Sequence, residues 1–465
     1  MDSQNSSSQE LLNYLKFNGP TLSGELLTRF GISRPTLSRR VQELGDAVIT
    51  IGKARATKIA ARLQEYSEPT PLYRVLENGQ AEPIGELTPI RDGERTQWLL
   101  ESENAPAALF EGEFKEGLYP GWPWFLEDMR PSGFLGRAFG KWMAKLHSYD
   151  TNPEKWNDSE LLRTLSIYGS NLQGNLILGD ASLEEFQSSK VSLANERFGS
   201  ASPDDYPRLA QYTLTGGEEL GSSAGGEQPK FTILVQDSKV DTRRAVIVKF
   251  SPKLDSASGQ RWADLLYAEH LANAVLREAG FATAQTRTFH FENRVFLESE
   301  RFDRIGATGR RGLVSLRALD TAHLGMGQGS WAKAARKLHA GKWITAEDCE
   351  RMTRLHCFGE LIANSDMHWG NLSFFLSDHS PLPLAPVYDM LPMRFRPSST
   401  GEVLEREFKP TLPKPEDQAA WLEMHPHALT YWQRIAQHPE ITPSFKQIAE
   451  QATQALERIH KIATT

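Results

Sequence analysis

The sequence predicts an α+β chain of two lobes, a mixed β lobe followed by a helical lobe, with a small helical domain in front. Three observations carry this. Asn364-Ser365-Asp366-Met367-His368-Trp369-Gly370-Asn371, with Tyr388-Asp389 downstream, sets a carboxylate, an amide five positions on and a second carboxylate at the spacing that a kinase-like two-lobed fold uses for phosphoryl transfer. Arg244-Ala245-Val246-Ile247-Val248-Lys249-Phe250 reads as a buried strand ending in a lysine, and a helix over 260–279 follows with Glu269 on its apolar face. The first 62 residues combine short amphipathic helices with a basic excess inside an acidic chain.

From the N-terminus, residues 10–17, 24–30 and 35–44 read as three short helices, with Gly31 ending the second and Ser33 opening the third. Leu11, Leu12, Leu15, Leu26, Leu27, Phe30, Leu37, Val41 and Leu44 supply a small core. Val48-Ile49-Thr50-Ile51 and then Gly52-Lys53-Ala54-Arg55 would form the wing of a winged helix-turn-helix. Between residues 19 and 62 the bases Arg29, Arg34, Arg39, Arg40, Lys53, Arg55, Lys58 and Arg62 face Glu25, Glu43 and Asp46. Eight against three gives +5 in a chain of net charge −7, so the remainder carries −12. This asymmetry suits double-stranded DNA, with Arg34, Thr36, Ser38, Arg39 and Arg40 on a recognition helix and Lys53 and Arg55 on the wing. A protein-interaction module with a solvated arginine face is the alternative. The domain is expected over 1–66, with Ser67-Glu68-Pro69-Thr70-Pro71 as linker.

Residues 72–200 are expected to form a structural subdomain. Leu72-Tyr73-Arg74-Val75-Leu76 and Ile84-Gly85-Glu86-Leu87 read as a hairpin around Asn78-Gly79, Trp122, Trp124 and Phe125 as aromatic anchors, and 133–147 and 160–168 as helices.

The β lobe, 201–304, opens on Gly221-Ser222-Ser223-Ala224-Gly225-Gly226-Glu227-Gln228-Pro229-Lys230 and a strand over 231–235. A glycine-rich turn brings backbone N–H groups close to phosphate oxygens. It matches neither Walker A nor G-x-G-x-x-G, so a flexible hairpin loop is its alternative reading. Lys249 at a buried strand end needs an anion, and Glu269 on an inward helix face needs a cation. Pairing the two gives the arrangement that fixes ATP phosphates; a solvated lysine and a glutamate at the edge of the apolar stripe would be the bland outcome.

In the helical lobe, 305–465, an apolar helix end at 358–363 leads into Asp366, a short strand at 372–376 leaves Asn371, and Pro386-Val387-Tyr388 delivers Asp389. Asp366 would orient an attacking hydroxyl, while Asn371 and Asp389 would hold the magnesium (Mg2+) that neutralises charge on the transferred phosphate. An ordinary polar turn is the alternative for 364–371. An amphipathic helix over 443–462 closes the chain.

Together these residues resemble the HipA-like serine/threonine kinases, which are toxins of bacterial toxin–antitoxin systems. The resemblance rests on Ser223-Ala224-Gly225-Gly226-Glu227-Gln228-Pro229-Lys230, Val248-Lys249, Glu300-Arg301-Phe302-Asp303-Arg304, the Asn364 to Asn371 loop and Tyr388-Asp389, and runs from about residue 72 to the C-terminus. It implies a phosphate loop holding ATP through Ser223, Gly225, Gly226, Gln228 and Lys230, a phosphate-binding Lys249, a hinge offering Glu300 and Phe302 to adenine, and His368 in the nucleotide site. It further implies that Asp366 positions the hydroxyl, that Asn371 and Asp389 bind Mg2+, and that Ser223 is autophosphorylated. A protein substrate carrying Ser or Thr and a small helix-turn-helix antitoxin are the implied partners. Glu227 departs from the family pattern, as does Gly312-Leu313-Val314-Ser315-Leu316-Arg317-Ala318-Leu319, and the first 65 or so residues have no counterpart in it.

At 465 residues and 39% hydrophobic, the chain exceeds one core and can fill several. Cys349 and Cys357 lack zinc or disulfide spacing and read as reduced structural thiols. His425 and His427 flank a proline and read as surface residues. No basic or apolar leader opens the chain and no run reaches membrane-spanning length, so a cytoplasmic protein without membrane contact is expected. Three function classes remain: a DNA-tethered Ser/Thr kinase, a DNA-binding regulator with a non-catalytic ATP-sensing kinase fold, and a Mg2+-dependent nuclease using Asp366, His368 and Asp389. The right residue type at every catalytic position argues against the second, and a nuclease has no use for Lys249, Glu269 or the hinge.

Overall fold

The computed structural model describes residues 2–63, 68–192, 202–215, 228–236 and 243–464. At the N-terminus the helices Asp2–Asn18, Ser23–Phe30 and Arg34–Leu44 enclose Leu11, Leu12, Leu15, Leu26 and Leu37. Gly31 ends the second helix at φ 61, and Ser33 caps the third by accepting the Thr36 N–H at 3.4 Å. The first helix begins eight residues before the expected start, because its polar opening turns lie outside the apolar stripe that sequence periodicity detects.

Strands Thr21–Leu22, Val48–Ile51 and Lys58–Ala61 make an antiparallel sheet with Lys58–Ala61 in the middle. Its two faces alternate in partner. Val48, Ile59 and Ala61 join the helices, while Ile49, Ile51 and Ala60 pack on Ile90 and Leu99 of the following subdomain. The Leu63 N–H reaches the Pro89 carbonyl at 3.1 Å, and Lys58 pairs with Glu116 at 2.6 Å. The expected linker is therefore partly structural: Thr70 and Pro71 begin the strand Thr70–Val75, opposite Leu87 and Glu86. Pro71 is tolerated there since its carbonyl accepts the Gly179 N–H at 2.8 Å, a bond that needs no proline N–H.

The middle subdomain is a five-stranded sheet in the order Leu118–Pro120, Arg95–Glu101, Ala81–Asp92, Thr70–Val75, Leu176–Leu178. The helix Asp158–Tyr168, opened by a reciprocal Asn157–Glu160 cap, packs on the strand Leu176–Leu178, and the helix Gly133–His147 reaches the strand Lys230–Gln236. Next comes a four-stranded antiparallel sheet, Thr286–Phe291, Arg294–Glu300, Arg243–Phe250, Lys230–Gln236, backed by the helix Ala257–Glu278. The helical lobe is built on Trp331–Ala340, Ala346–Leu361, Gln418–Gln437 and Pro443–Ala463. Thr442, which caps the last helix, is held to Asp264 of the β lobe by its N–H at 2.8 Å and its hydroxyl at 2.7 Å.

His425 corrects the sequence reading. Pro426 does not break the helix Gln418–Gln437, and the helix carries His425 inward to 3% exposure, its ring stacked on His460 at 4.3 Å and its Nε2 donating to the Leu456 carbonyl at 3.0 Å.

The crossing from β lobe to helical lobe is fixed by charge. Asp303 accepts from Arg301 at 2.9 and 2.8 Å, from Arg304 at 2.7 Å and from the Gly174 N–H at 2.9 Å. Arg304 and Arg310 pass on to the Leu172 and Ser170 carbonyls at 2.5 Å, which fastens the hinge to the middle subdomain. Burial alone would raise the Asp303 pKa, but Arg301 and Arg304 hold it far below the carboxylate range; burial and Arg301 pull Arg310 down to about 9. A depressed carboxylate pKa gives stability that is present above the unfolded value near 4 and is lost as pH falls toward the folded one. Asp303→Asn should thus lose about 3–5 kcal/mol at pH 7 by leaving buried guanidinium groups unbalanced, and the gap to the parent should narrow below about pH 4; urea unfolding at pH 7 and pH 3 checks both.

Candidate active site

Along the strand Arg243–Phe250, Val246, Val248 and Phe250 fill an aromatic core with Phe231, Phe296 and Tyr206, so Lys249 leaves by the opposite face, toward the helix Ala257–Glu278. Glu269 meets it there. The Lys249 Nζ stands 2.7 Å from each Glu269 carboxylate oxygen and also bonds the Asp389 carboxylate. Lys249 is 5% exposed and Glu269 2%.

Directly across the strand pair from Lys249 is Lys230, itself 3% exposed. Like charges in that position repel, and here Glu269 and Asp389 compensate them. Burial disfavours a charged Lys249, yet Asp389 and Glu269 hold its pKa above the ordinary lysine range. Burial likewise pushes Asp389 up, but Lys249 and Lys230 keep it below the usual carboxylate range. Sequence reading had put Lys230 in the glycine-rich turn; the alternation of Phe231 and Val235 inward was the available signal that it begins a strand.

Asp389 has φ 54, a left-handed conformation that a non-glycine residue keeps only when its surroundings enforce it. The buried Asn364 does part of this. Its Nδ2 approaches the Asp389 carbonyl at 3.5 Å while its Oδ1 accepts the Asp366 N–H at 3.0 Å, so one amide joins both loops. Asn371 Nδ2 donates to the Asp366 carbonyl at 2.9 Å, which leaves the Asn371 Oδ1 for another partner. Tyr388 donates to the Gly370 carbonyl at 2.7 Å and stays 2.7 Å from the Ser373 hydroxyl.

The Asp366 carboxylate is 38% exposed, with Arg396 Nη1 4.0 Å away. His368 turns its Nδ1 to the Gly370 N–H at 3.1 Å, and burial together with Arg317 and Lys230 outweighs Asp366 and Asp389 in lowering its pKa. Asp366 and Asp389 both act on His368, and among the described residues no group of three or more His, Cys, Asp or Glu stands close enough together to hold a metal. In the hinge, Glu300 and Arg301 donate their N–H groups to Gln285 and Ala245 at 2.9 Å, and the Phe302 ring lies 5.7 Å from Tyr388. Gln228 has a buried Nε2 with no hydrogen-bond partner among the described residues. Ser223, Gly225 and Gly226 lie outside the described residues.

Arg34, Ser38 and Arg39 are exposed on the helix Arg34–Leu44, and Thr36 and Arg40 half-buried. Arg39 approaches Glu43 at 3.7 Å, and Arg40 lies 6.0 Å over the Phe30 ring. Lys53 is exposed; the Arg55 side chain is outside the description. Sequence reasoning missed Arg396, which sits in an aperiodic stretch, and Asp128, which accepts from the Ser315 N–H at 2.5 Å and hydroxyl at 2.6 Å and thereby anchors the start of the helical lobe.

Residues 66–187 match the YjjJ-like toxin middle domain and residues 222–463 the HipA-like C-terminal domain. Toxin YjjJ of Escherichia coli (strain K12) is 36% identical over 457 residues, covering 97% of this chain and 98% of that protein. Among solved structures, a chain of the Shewanella oneidensis MR-1 HipA, HipB and operator DNA complex superposes with a TM-score of 0.50 at 16% identity, over 85% of this chain and 99% of that one. The Helicobacter pylori proinflammatory kinase CtkA matches 51% of this chain and 94% of its own at a TM-score of 0.34 and 14% identity. The chain belongs to the HipA-like family, alongside toxin YjjJ.

Proposed function

We propose that the chain is an ATP- and Mg2+-dependent serine/threonine protein kinase that acts as a toxin and binds duplex DNA through its N-terminal domain. The observation that carries the catalytic half is Lys249, buried between Glu269 and Asp389 with Lys230 directly opposite. Two buried ammonium groups on one sheet face form an anion site suited to polyphosphate.

The residues fit the missing groups. Asn371 Oδ1 and the Asp389 carboxylate are hard oxygen donors of the kind that hold Mg2+ together with phosphate and water. Bound there, MgATP supplies the phosphoryl group and neutralises the charge that develops on it. Lys249 and Lys230 hold phosphate oxygens, Glu269 keeps Lys249 aimed, and the partnerless Gln228 Nε2 adds a donor. Glu300 and Phe302 offer hinge backbone to adenine, His368 lines the nucleotide side, and Asp366 accepts the hydrogen bond of the substrate hydroxyl, aligning its oxygen for attack. Ser223 is the expected autophosphorylation site. Within this reading the protein works in the cytoplasm, and no described helix is long and apolar enough to cross a membrane.

The three N-terminal helices and three-stranded sheet suit a winged helix-turn-helix, with Arg34, Thr36, Ser38, Arg39 and Arg40 toward the major groove and Lys53 and Arg55 on the wing. A small helix-turn-helix antitoxin is the expected partner, by analogy with HipB in the Shewanella complex.

With radiolabelled ATP and cell lysate, Asp366→Asn and Asp389→Ala should each cut label transfer by on the order of a thousandfold. Wild-type transfer in both would end the kinase reading, and nucleotide binding without any transfer in the parent would select the ATP-sensing regulator. Because Lys249 and Glu269 act as one unit, Glu269→Gln should reproduce most of the loss seen in Lys249→Met in steady-state kinetics.

DNA binding is best measured on the full chain, since the sheet face carrying Ile49 and Ile51 is covered by the next subdomain. Fluorescence anisotropy should show affinity falling roughly tenfold to a thousandfold between about 50 and 200 mM salt. Joint Arg39→Ala and Arg40→Ala replacement should weaken binding and flatten that slope, while Asp366→Asn changes neither. Absence of binding at low salt would make the helix a protein-interaction face.

A further inference from the structure

After Asp389 the chain runs out through residues 394–408 and lies along the last helix, Pro443–Ala463. Its two limbs are laced to each other. Arg406 Nη1 donates to the Arg394 and Arg396 carbonyls at 2.5 and 3.1 Å, and Arg394 Nε donates back to the Glu407 carbonyl at 2.7 Å. Between this segment and the helix is a cavity of about 290 Å³, at the lower end of the size range of small-molecule sites.

The cavity lining mixes two chemistries. Phe395, Phe408, Ile448 and Ala452 give it apolar surface, and Arg406 and Arg458 give it two guanidinium groups. Neither arginine has a carboxylate partner within 4.0 Å among the described residues; Glu407, the single acid in the lining, pairs with Lys409 at 2.9 Å. Behind the wall Arg261, 6% exposed, donates to the Phe395 carbonyl at 3.2 Å and brings its Nε to 3.9 Å from the Asp264 carboxylate. Burial lowers the Arg261 pKa, Asp264 opposes that, and the nearby Arg406 lowers it further.

We propose that this cavity is a binding site for a small amphipathic anion, an aryl or short alkyl group ending in a phosphate or carboxylate. The apolar body would lie against Phe395, Phe408 and Ile448, and the anionic end between Arg406 and Arg458, where a guanidinium fork suits planar or tetrahedral oxyanions. None of these residues belongs to the cluster around Lys249, so the site stands or falls separately from the phosphotransfer reading.

The test is calorimetric titration of the full chain, with saturating ATP present, using phenyl phosphate, inorganic phosphate and benzyl alcohol as probes. Phenyl phosphate should bind at one site, roughly tenfold or more tighter than either fragment, since the apolar and the guanidinium parts of the lining then both contribute. Arg458→Gln should weaken it by roughly tenfold, and Ala455→Phe should fill the space and remove the binding. Hydrogen exchange at residues 394–408 should slow when the probe is bound. Arg458 is exposed at the cavity edge and makes no hydrogen bond or ion pair among the described residues, so that variant keeps the test valid even if Ala455→Phe misfolds. Equal affinity for phenyl phosphate and inorganic phosphate, undiminished binding in Arg458→Gln, or no saturable heat at all would overturn the proposal.

Discussion

The candidate active site depends on one buried ammonium group held by two carboxylates. Lys249 arrives there because strand alternation sends Val246, Val248 and Phe250 the other way, Glu269 because it lies on the packed face of its helix, and Asp389 because its loop is bent into a left-handed turn. With Lys230 opposite, two cations face two anions, a balance that tolerates burial. Removing any one member leaves an uncompensated charge at a cost of several kcal/mol. Asn364, Asn371 and Tyr388 then transmit this fixed geometry to the more exposed Asp366.

The hinge solves the opposite imbalance. Around Asp303 there are three guanidinium groups for one carboxylate, and the excess donors go to main-chain carbonyls of the middle subdomain. That subdomain is thereby bound to the crossing between the lobes, and Asp264 with Thr442 makes a second fastening across them. Both fastenings join segments far apart in sequence, so both appear only after the chain has folded.

This explains which parts of the molecule are legible in the sequence. The helix Gly133–His147, the strand ending near Lys249 and the pairing of Lys249 with Glu269 follow from local periodicity and from the need of buried charges for partners. Periodicity has no access to Lys230 facing Lys249, to Asp128 taking Ser315, or to Arg396 beside Asp366, because each is set by tertiary register. Thr70 and Pro71 misled for another reason: proline signals a break, yet a strand position that needs only the carbonyl accepts it. Pro426 misled in the same way, and with it His425.

The small N-terminal sheet shares its outer face with the subdomain behind it, through Ile49, Ile51 and Ala60 on Ile90 and Leu99. The helix Arg34–Leu44 is consequently joined to the rest of the molecule through a packed apolar contact as well as through the chain. Under the proposed function, a surface docked by that helix would meet the Lys249 site at one height and one angle. Geometry of mounting, as much as affinity, would then select what that site can meet.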